Sequence, residues 1–169
     1  CRRTFEFRKR EFNYVAARLH ALLFPVWTMQ AADEAGVLLI SQPGLHSPHR
    51  KAYQAGVPEL LHNLEREFDE WYWRDVNSPS VVIWDMENEL IRGQRDQELV
   101  DWVLQLDTFI RKHESGAVTE HSGAGWYHPE QQVIHVHMHE QYNRMMRDWL
   151  AKENVPLILG EFWIGGNGE

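Results

Sequence analysis

The chain has 169 residues, 43% of them hydrophobic, and a formal net charge of −8 at pH 7. This length is enough for a single domain, residues 1–169, with a hydrophobic core, and an acidic chain is a poor ligand for nucleic acid or anionic membranes. No apolar segment approaches the roughly 20 residues of a membrane-spanning helix, and the single cysteine, Cys1, excludes an intrachain disulfide.

Short apolar segments alternate with segments of helical periodicity along most of the chain. The strand segments are rich in Val, Leu and Ile, whereas apolar residues recur every three or four positions in the helical ones. We predict, in chain order, a strand at 13–20, a helix at 26–36, a strand at 37–41, a loop at 42–50, a helix at 58–74, a strand at 80–84, a helix at 99–110, strands at 117–121 and 131–138, a helix at 145–150 and a strand at 156–163.

This alternation predicts an α/β fold with a parallel sheet, because strands separated by helices of this length form right-handed βαβ units. Both an open doubly wound sheet and a segment of a (β/α)8 barrel fit the pattern. Polar residues accumulate at the carboxyl ends of the predicted strands, where barrels place their chemistry. These residues are His20, Gln42, Glu89, His121, His139 and Glu161.

Two of the apolar strands end in a carboxylate, at Glu89 in MENE and at Glu161 in LGE. A carboxylate that ends a buried strand is costly unless it is paired or used in chemistry. A closed barrel would turn both strand ends toward one cavity, and two facing carboxylates are the groups that glycoside hydrolysis requires. Acidic strand ends are also common as helix caps and solvated loop residues, so the pattern alone leaves both interpretations open.

The segments that carry these carboxylates resemble glycoside hydrolase family 2. NSPSVVIWDMENE is similar to the family's acid/base segment, and PLILGEFWIGGNG is similar to its nucleophile segment. FNYVAARLHALLFPVW and ADEAGVLLISQPGLH resemble the second and third barrel strands, and GAVTEHSGAG resembles the fifth. The order along the chain is also that of the family. The resemblance implies a (β/α)8 barrel and a retaining mechanism, in a family that includes β-galactosidases, β-mannosidases and β-glucuronidases.

The resemblance also implies roles for individual residues. Glu89 is expected to be the acid/base and Glu161 the nucleophile, while Asn88 matches an Asn that binds the sugar 2-hydroxyl. The family's second-strand Arg falls at Ala16 when the FN dipeptide is aligned, and Arg18 lies two residues later. The residues expected to contact the sugar, besides Asn88, are Arg18, His46, His135, His137, Tyr142, Trp163 and Trp126.

Two more carboxylates, Asp85 and Glu87, precede Glu89 at alternate positions. If they point into the same cavity, they raise the pKa of Glu89, as a general acid requires. If they instead bind an Arg or His inside the barrel, they have no such effect. We favour the second interpretation.

Three histidines, His135, His137 and His139, alternate along one predicted strand. Such alternation can bind a metal ion, but no matching Asp/His set is evident on the other predicted strands. We therefore expect no metal and no cofactor, and favour a place for these histidines in a sugar pocket near the nucleophile.

The resemblance extends from the second to the seventh strand of the barrel. We therefore expect a (β/α)8 TIM barrel that is incomplete in this chain, completed by the rest of a parent chain or by another subunit, because raw sheet edges are unstable. The expected partner is a β-linked oligosaccharide or glycoside. Two other classes stay open: a barrel that binds carbohydrate without cleaving it, and a metal-dependent hydrolase built on the histidines.

Overall fold

The computed structural model of the chain describes residues 1–93, 96–123, 132–138 and 155–162. Within these ranges the chain forms six strands and five helices. The strands are β1 (Ala16–Arg18), β2 (Leu38–Ser41), β3 (Val81–Asn88), β4 (Thr119–Ser122), β5 (Ile134–Met138) and β6 (Leu157–Phe162). The helices are α1 (Arg2–Phe12), α2 (Val26–Ala35), α3 (Ser47–Gln54), α4 (Leu60–Asp75) and α5 (Gln97–His113). The helix predicted at 145–150 lies outside the described residues.

The strands are parallel and follow one another in chain order. Strands β1 to β4 form one sheet, and β5 pairs with β6. The amide of Gly123 donates to the carbonyl of His135 at 3.1 Å, which joins the end of β4 to β5. A doubly wound sheet reverses its strand order at a switch point, whereas this order is sequential. The topology therefore favours the barrel, and it brings the carboxyl ends of neighbouring strands to one edge.

The main core lies between β3 and the helices α4 and α5. Leu64, Phe68 and Trp71 recur along one face of α4, and Trp71 meets Trp84 of β3 edge to face at a centroid distance of 5.0 Å. The matching residues of α5 are Leu99, Val103, Leu106 and Ile110. Each fully buried side chain of this kind contributes about 1.5–3 kcal/mol, so these helices fix the position of β3.

A second apolar cluster packs α1 and α2 against β1 and β2. It includes Phe5, Ala17, Met29 and Leu39. Among the described residues, no helix combines the length and the apolar character of a membrane span.

Two helices were not predicted from the sequence. Helix α1 buries only Phe5, and α3 buries no residue, so neither has an apolar stripe that periodicity can detect. The prediction of a loop at 42–50 was therefore wrong from Ser47 onward. The amide of His46 donates to Nδ1 of His49 at 3.3 Å at the start of α3, in the reciprocal arrangement of a capping box.

Strand β3 extends beyond its predicted end to Asn88 and contains a bulge. Its register pairs Asp85 with Glu120 and Asn88 with Ser122, so β3 carries one more residue than β4 over this interval. A bulge breaks the strict alternation of side chains along a strand. Asp85 and Asn88 therefore face the same side, which strict alternation would not allow for residues three positions apart.

Candidate active site

Arg18, at the end of β1, joins three strands at the carboxyl edge of the sheet. Its Nε donates to Asp85 Oδ2 at 3.0 Å, Nη1 to Glu161 Oε1 at 3.2 Å and Nη2 to Asn88 Oδ1 at 2.7 Å. The side chain of Arg18 is only 13% exposed. Arg18, not the aligned Ala16, thus supplies the arginine of this site.

Glu161, on β6, presents one oxygen to several basic groups. Besides Arg18, its Oε1 lies 3.6 Å from His137 Nε2 and 3.9 Å from His20 Nδ1. The side chain is 39% exposed, which leaves the carboxylate accessible from the carboxyl edge. Glu161 is therefore both oriented by the protein and open to a small molecule.

Glu89 follows β3 immediately and adopts a left-handed backbone conformation with φ 56°. This conformation costs a non-glycine residue on the order of 1–3 kcal/mol and persists where the surroundings impose it, often at functional sites. The carboxylate accepts hydrogen bonds from Arg92 and, at 3.0 Å, from His137 Nδ1. Its side chain is 25% exposed.

Charge and hydrogen bonding set the protonation of Glu89. Burial alone would raise its pKa, but the hydrogen bonds from His137 and Arg92 outweigh burial and hold the pKa below its ordinary value. Burial also lowers the pKa of His137, against an opposing effect of Glu89. Free Glu89 is therefore held in its ionised form.

His137 lies between the two carboxylates. Its Nδ1 contacts Glu89 and its Nε2 faces Glu161, at the distances given above. A Cβ on Gly123 would lie 2.4 Å from His137 Nδ1, and a Cβ on Gly160 would lie 1.4 Å from His135 Nε2. The two glycines thus make room for the two histidines of β5, and His137 brings both predicted catalytic residues into one site.

The two additional acids near Glu89 have different surroundings. Asp85 is fully buried and accepts hydrogen bonds from Arg18, Ser122 Oγ and, at 2.7 Å, Gln42 Nε2. The favoured interpretation, in which such acids bind an Arg inside the barrel, is confirmed for Asp85. Burial, reinforced by Glu120, raises the pKa of Asp85 to about 6.

Glu87 has different hydrogen-bonding neighbours from Asp85. It is fully buried, accepts a hydrogen bond from the amide of Leu90, and lies 4.0 Å from Nδ1 of His121. Burial raises its pKa well above the ordinary value. The alternative prediction, a raised pKa at Glu89, is wrong, because hydrogen bonds from His137 and Arg92 hold the pKa of Glu89 below its ordinary value.

His46 borders the site through the backbone of Asn88. The two residues form an isolated parallel bridge, and the amide of Asn88 donates to Leu45 O at 2.9 Å. His46 also lines a cavity of about 520 Å³ together with Arg66 and Glu67. The other residues predicted for the pocket, Trp126, Tyr142 and Trp163, lie outside the described residues, as does His139.

Three residues at the site were not identified from the sequence. Arg92 pairs with Glu89, and the spacing of three residues between these opposite charges is the sequence signal for this ion pair. Ser122 donates to Asp85, and Glu120 lies 2.9 Å from His135 Nδ1 through its Oε2. These last two residues meet β3 and β5 only through strand register, which the sequence does not display. One ligand atom each from Asp85, Glu120 and His135 falls within 4.8 Å of the others.

Comparison with known proteins shows the family of the chain. Residues 24–167 match the sequence profile described as glycosyl hydrolases family 2, TIM barrel domain. A beta-galactosidase of Leuconostoc mesenteroides is 24% identical over 159 residues, which are 90% of this chain and 15% of that protein. The beta-D-glucuronidase of Dictyoglomus thermophilum superposes with a TM-score of 0.76 at 16% identity, over 99% of this chain and 34% of that chain.

A beta-glucuronidase of Ruminococcus gnavus, in complex with D-glucaro 1,5-lactone, also superposes with a TM-score of 0.76. It is 20% identical, over 94% of this chain and 31% of that chain. At this level of identity the likeness establishes the fold, and it confirms that the parallel strands are part of a (β/α)8 barrel. The chain spans about a third of the length of the solved structures and less of the curated relative.

Proposed function

Because the chain belongs to glycosyl hydrolase family 2, we propose that it carries the catalytic centre of a retaining β-glycosidase, with Glu161 as nucleophile and Glu89 as acid/base. The observation that carries the proposal is the contact of both carboxylates with one imidazole, that of His137. The two carboxylates, one directly after β3 and the other on β6, thereby meet at the carboxyl edge of the barrel, where barrel enzymes bind their substrates.

In the first step Glu161 attacks the anomeric carbon while Glu89 protonates the departing glycosidic oxygen. Arg18 supports this role of Glu161, because its guanidinium holds Oε1 and is itself fixed by Asp85 and Asn88. In the second step Glu89, now a base, takes a proton from the water that releases the sugar with its original configuration.

Asn88 is suited to bind a hydroxyl group of the sugar. Its Oδ1 already accepts a hydrogen bond from Arg18 Nη2. The amide NH2 group therefore remains to donate, and a sugar hydroxyl beside the nucleophile is an acceptor of the right kind. This role agrees with the 2-hydroxyl contact that the family resemblance implies.

Glu89 must gain a proton before it can act as an acid, and Arg92 opposes this step. The Arg92 side chain is 43% exposed and pairs with Glu89 at the edge of the site. An arriving glycosidic oxygen takes the place of Arg92 at the carboxyl group, which removes one of the interactions that keep Glu89 ionised. We expect catalysis to favour acidic pH, because the lowered pKa of Glu89 reduces the fraction of its protonated form at neutral pH.

The stereochemical course of hydrolysis tests the proposal. The natural full-length protein is incubated with aryl β-glycosides of galactose, glucuronic acid and mannose, and the first anomer released is identified by proton NMR. The proposal predicts release of the β anomer and loss of turnover in Glu161→Gln. Release of the α anomer contradicts a retaining mechanism, and sugar binding without turnover indicates a non-catalytic carbohydrate-binding barrel.

A further inference from the structure

We propose that a divalent metal ion binds between Asp85, Glu120 and His135, a cluster that Arg18 links to the predicted nucleophile Glu161. One ligand atom from each residue lies within 4.8 Å of the others, and all three side chains are fully buried. The sequence predicts no metal at the histidines of β5, because no matching Asp/His set is evident on the other predicted strands. In the structure, the strand register places two buried acids, Asp85 and Glu120, beside His135.

The surroundings of Glu120 are the strongest indication of a cation site. Neither of its oxygens accepts a hydrogen bond from the described residues, although the side chain is completely buried. Its Oε2 lies 2.9 Å from His135 Nδ1, yet outside hydrogen-bond geometry. Buried carboxylates without a partner are costly. Two electron-rich atoms that converge without a shared hydrogen bond are arranged as ligands of one ion.

The orientation of His135 also fits a ligand. Its Nε2 faces Gly160, where even a Cβ would lie 1.4 Å away, so this nitrogen is closed off. The ring therefore presents Nδ1 to the cluster, where Glu120 Oε2 lies at 2.9 Å and Nδ1 is hydrogen-bonded to Ser122 Oγ at 3.1 Å, a bond that a bound ion would replace. Ser122 gives its proton to Asp85, and its oxygen lone pairs make a fourth ligand available.

The balance of charges in the cluster favours binding of a divalent cation. Arg18 pairs with Asp85 and Glu161, but Glu120 accepts no hydrogen bond from it or from another described residue. When ionised, Asp85, Glu120 and Glu161 carry three negative charges against the single positive charge of Arg18. A divalent ion would neutralise the remaining two negative charges. Because Glu120 is already fully enclosed, only a small ion or a proton reaches it without displacing its neighbours.

The donor set selects the kind of ion. One imidazole nitrogen with carboxylate and hydroxyl oxygens suits Mn²⁺ or Zn²⁺ better than the all-oxygen surroundings of Ca²⁺ or Mg²⁺. His137 does not belong to this set, because its two nitrogens face different carboxylates, Glu89 and Glu161. The ion would hold Asp85 and thereby Arg18, and its binding does not depend on whether the site cleaves glycosides.

The test is metal binding by the natural full-length protein after treatment with a chelator. Titration calorimetry with MnCl2 and with ZnCl2 should show one ion per chain at this site for at least one of the metals. Glu120→Gln should bind it more weakly by about 100-fold or more, since even outer-shell changes cost 10–100-fold. Glu87→Gln, an identical change at a second fully buried glutamate, should bind as the wild type does.

Two results would overturn the proposal: wild-type protein that binds neither ion, or Glu120→Gln that binds as tightly as wild type. Either would indicate that Glu120 is simply protonated, in keeping with a pKa that burial raises to about 8. If Glu120→Gln does not fold, pulsed electron paramagnetic resonance on Mn²⁺-loaded wild-type protein decides. Coupling to an imidazole nitrogen is expected, and its absence contradicts the site.

Discussion

Asp85 and Asn88 contact the same guanidinium group, that of Arg18, although they lie three positions apart on one β strand. The bulge in β3 makes this possible, because it turns both side chains to the same face. Arg18 is thereby held from two points on β3 while its third donor reaches Glu161. The position of the predicted nucleophile thus depends on a local irregularity of a neighbouring strand.

Replacement of Arg18 by lysine should reduce kcat strongly. Lysine keeps the charge but cannot donate from a planar fork to three acceptors at once, so Glu161 and Asn88 lose their common support. We expect kcat to fall by about 10²–10³-fold, the range found when a preorganised donor is removed, with a smaller change in KM. The measurement is steady-state hydrolysis of an activated aryl β-glycoside by the natural full-length protein.

The matched control is Arg74→Lys, because Arg74 also makes two hydrogen bonds to a buried carboxylate, that of Asp75, but away from the site. It should leave kcat close to that of the wild type. Equal activity of Arg18→Lys and wild-type protein would show that Arg18 does not position the reacting groups.

Replacement of Arg92 by alanine should change the pH dependence of hydrolysis. Arg92 helps to lower the pKa of Glu89, so its removal raises that pKa. The basic limb of a kcat/KM profile reports the group that must be protonated in the free enzyme. This limb should therefore move to higher pH in Arg92→Ala, and the optimum should become less acidic.

Arg10→Ala, which breaks a surface ion pair with Glu11, serves as the control and should leave the profile in place. A basic limb that stays fixed or moves to lower pH in Arg92→Ala would contradict the assignment of Glu89 as the general acid.

Alanine at Gly123 should destabilise the protein by more than its backbone conformation explains. Gly123 and Gly116 both have positive φ, 68° and 93°, but only at Gly123 would a Cβ meet another group, the ring of His137 at 2.4 Å. Gly116→Ala should therefore cost about 1–2 kcal/mol for the backbone alone, and Gly123→Ala about 1–3 kcal/mol more for overpacking. Urea unfolding measures both.

Equal losses of stability in the two variants would mean that His137 does not occupy the position described, because the backbone cost alone would then account for both. An activity assay on the folded fraction of Gly123→Ala separates the two effects. Displacement of His137 lowers the activity per folded molecule, whereas loss of stability alone lowers only the amount of folded protein.

The pattern of elements could be predicted from the sequence, as could the placement of Glu89 and Glu161 at strand ends, because each depends on a contiguous segment. Apolar runs identify strands, and the MENE and LGE segments carry Glu89 and Glu161 at the ends of two of them. The family and the barrel followed from the same segments.

The features of the site that could not be predicted from the sequence depend on contacts between strands. Strict alternation places Asp85, Glu87 and Glu89 on one face, whereas the bulge between Asp85 and Asn88 interrupts that alternation. Glu120 becomes a neighbour of Asp85 only through parallel register. Helix α3 has no buried face and so carries no periodic signal. These features depend on tertiary structure, which a single sequence does not encode as a local pattern.

The most direct test of the central claim, the separate roles of Glu161 and Glu89, is azide rescue of Glu161→Gly and Glu89→Ala in the natural full-length protein. A dinitrophenyl β-glycoside has an acidic leaving group, so loss of Glu89 should cost less in the first step than the usual 10²–10⁴-fold of general acid catalysis. Glu89→Ala should accumulate glycosyl-enzyme and release a β-glycosyl azide. Glu161→Gly should yield an α-glycosyl azide, because the small anion enters from the vacated face. The same azide anomer from both variants, or wild-type turnover in either, would contradict the assignment.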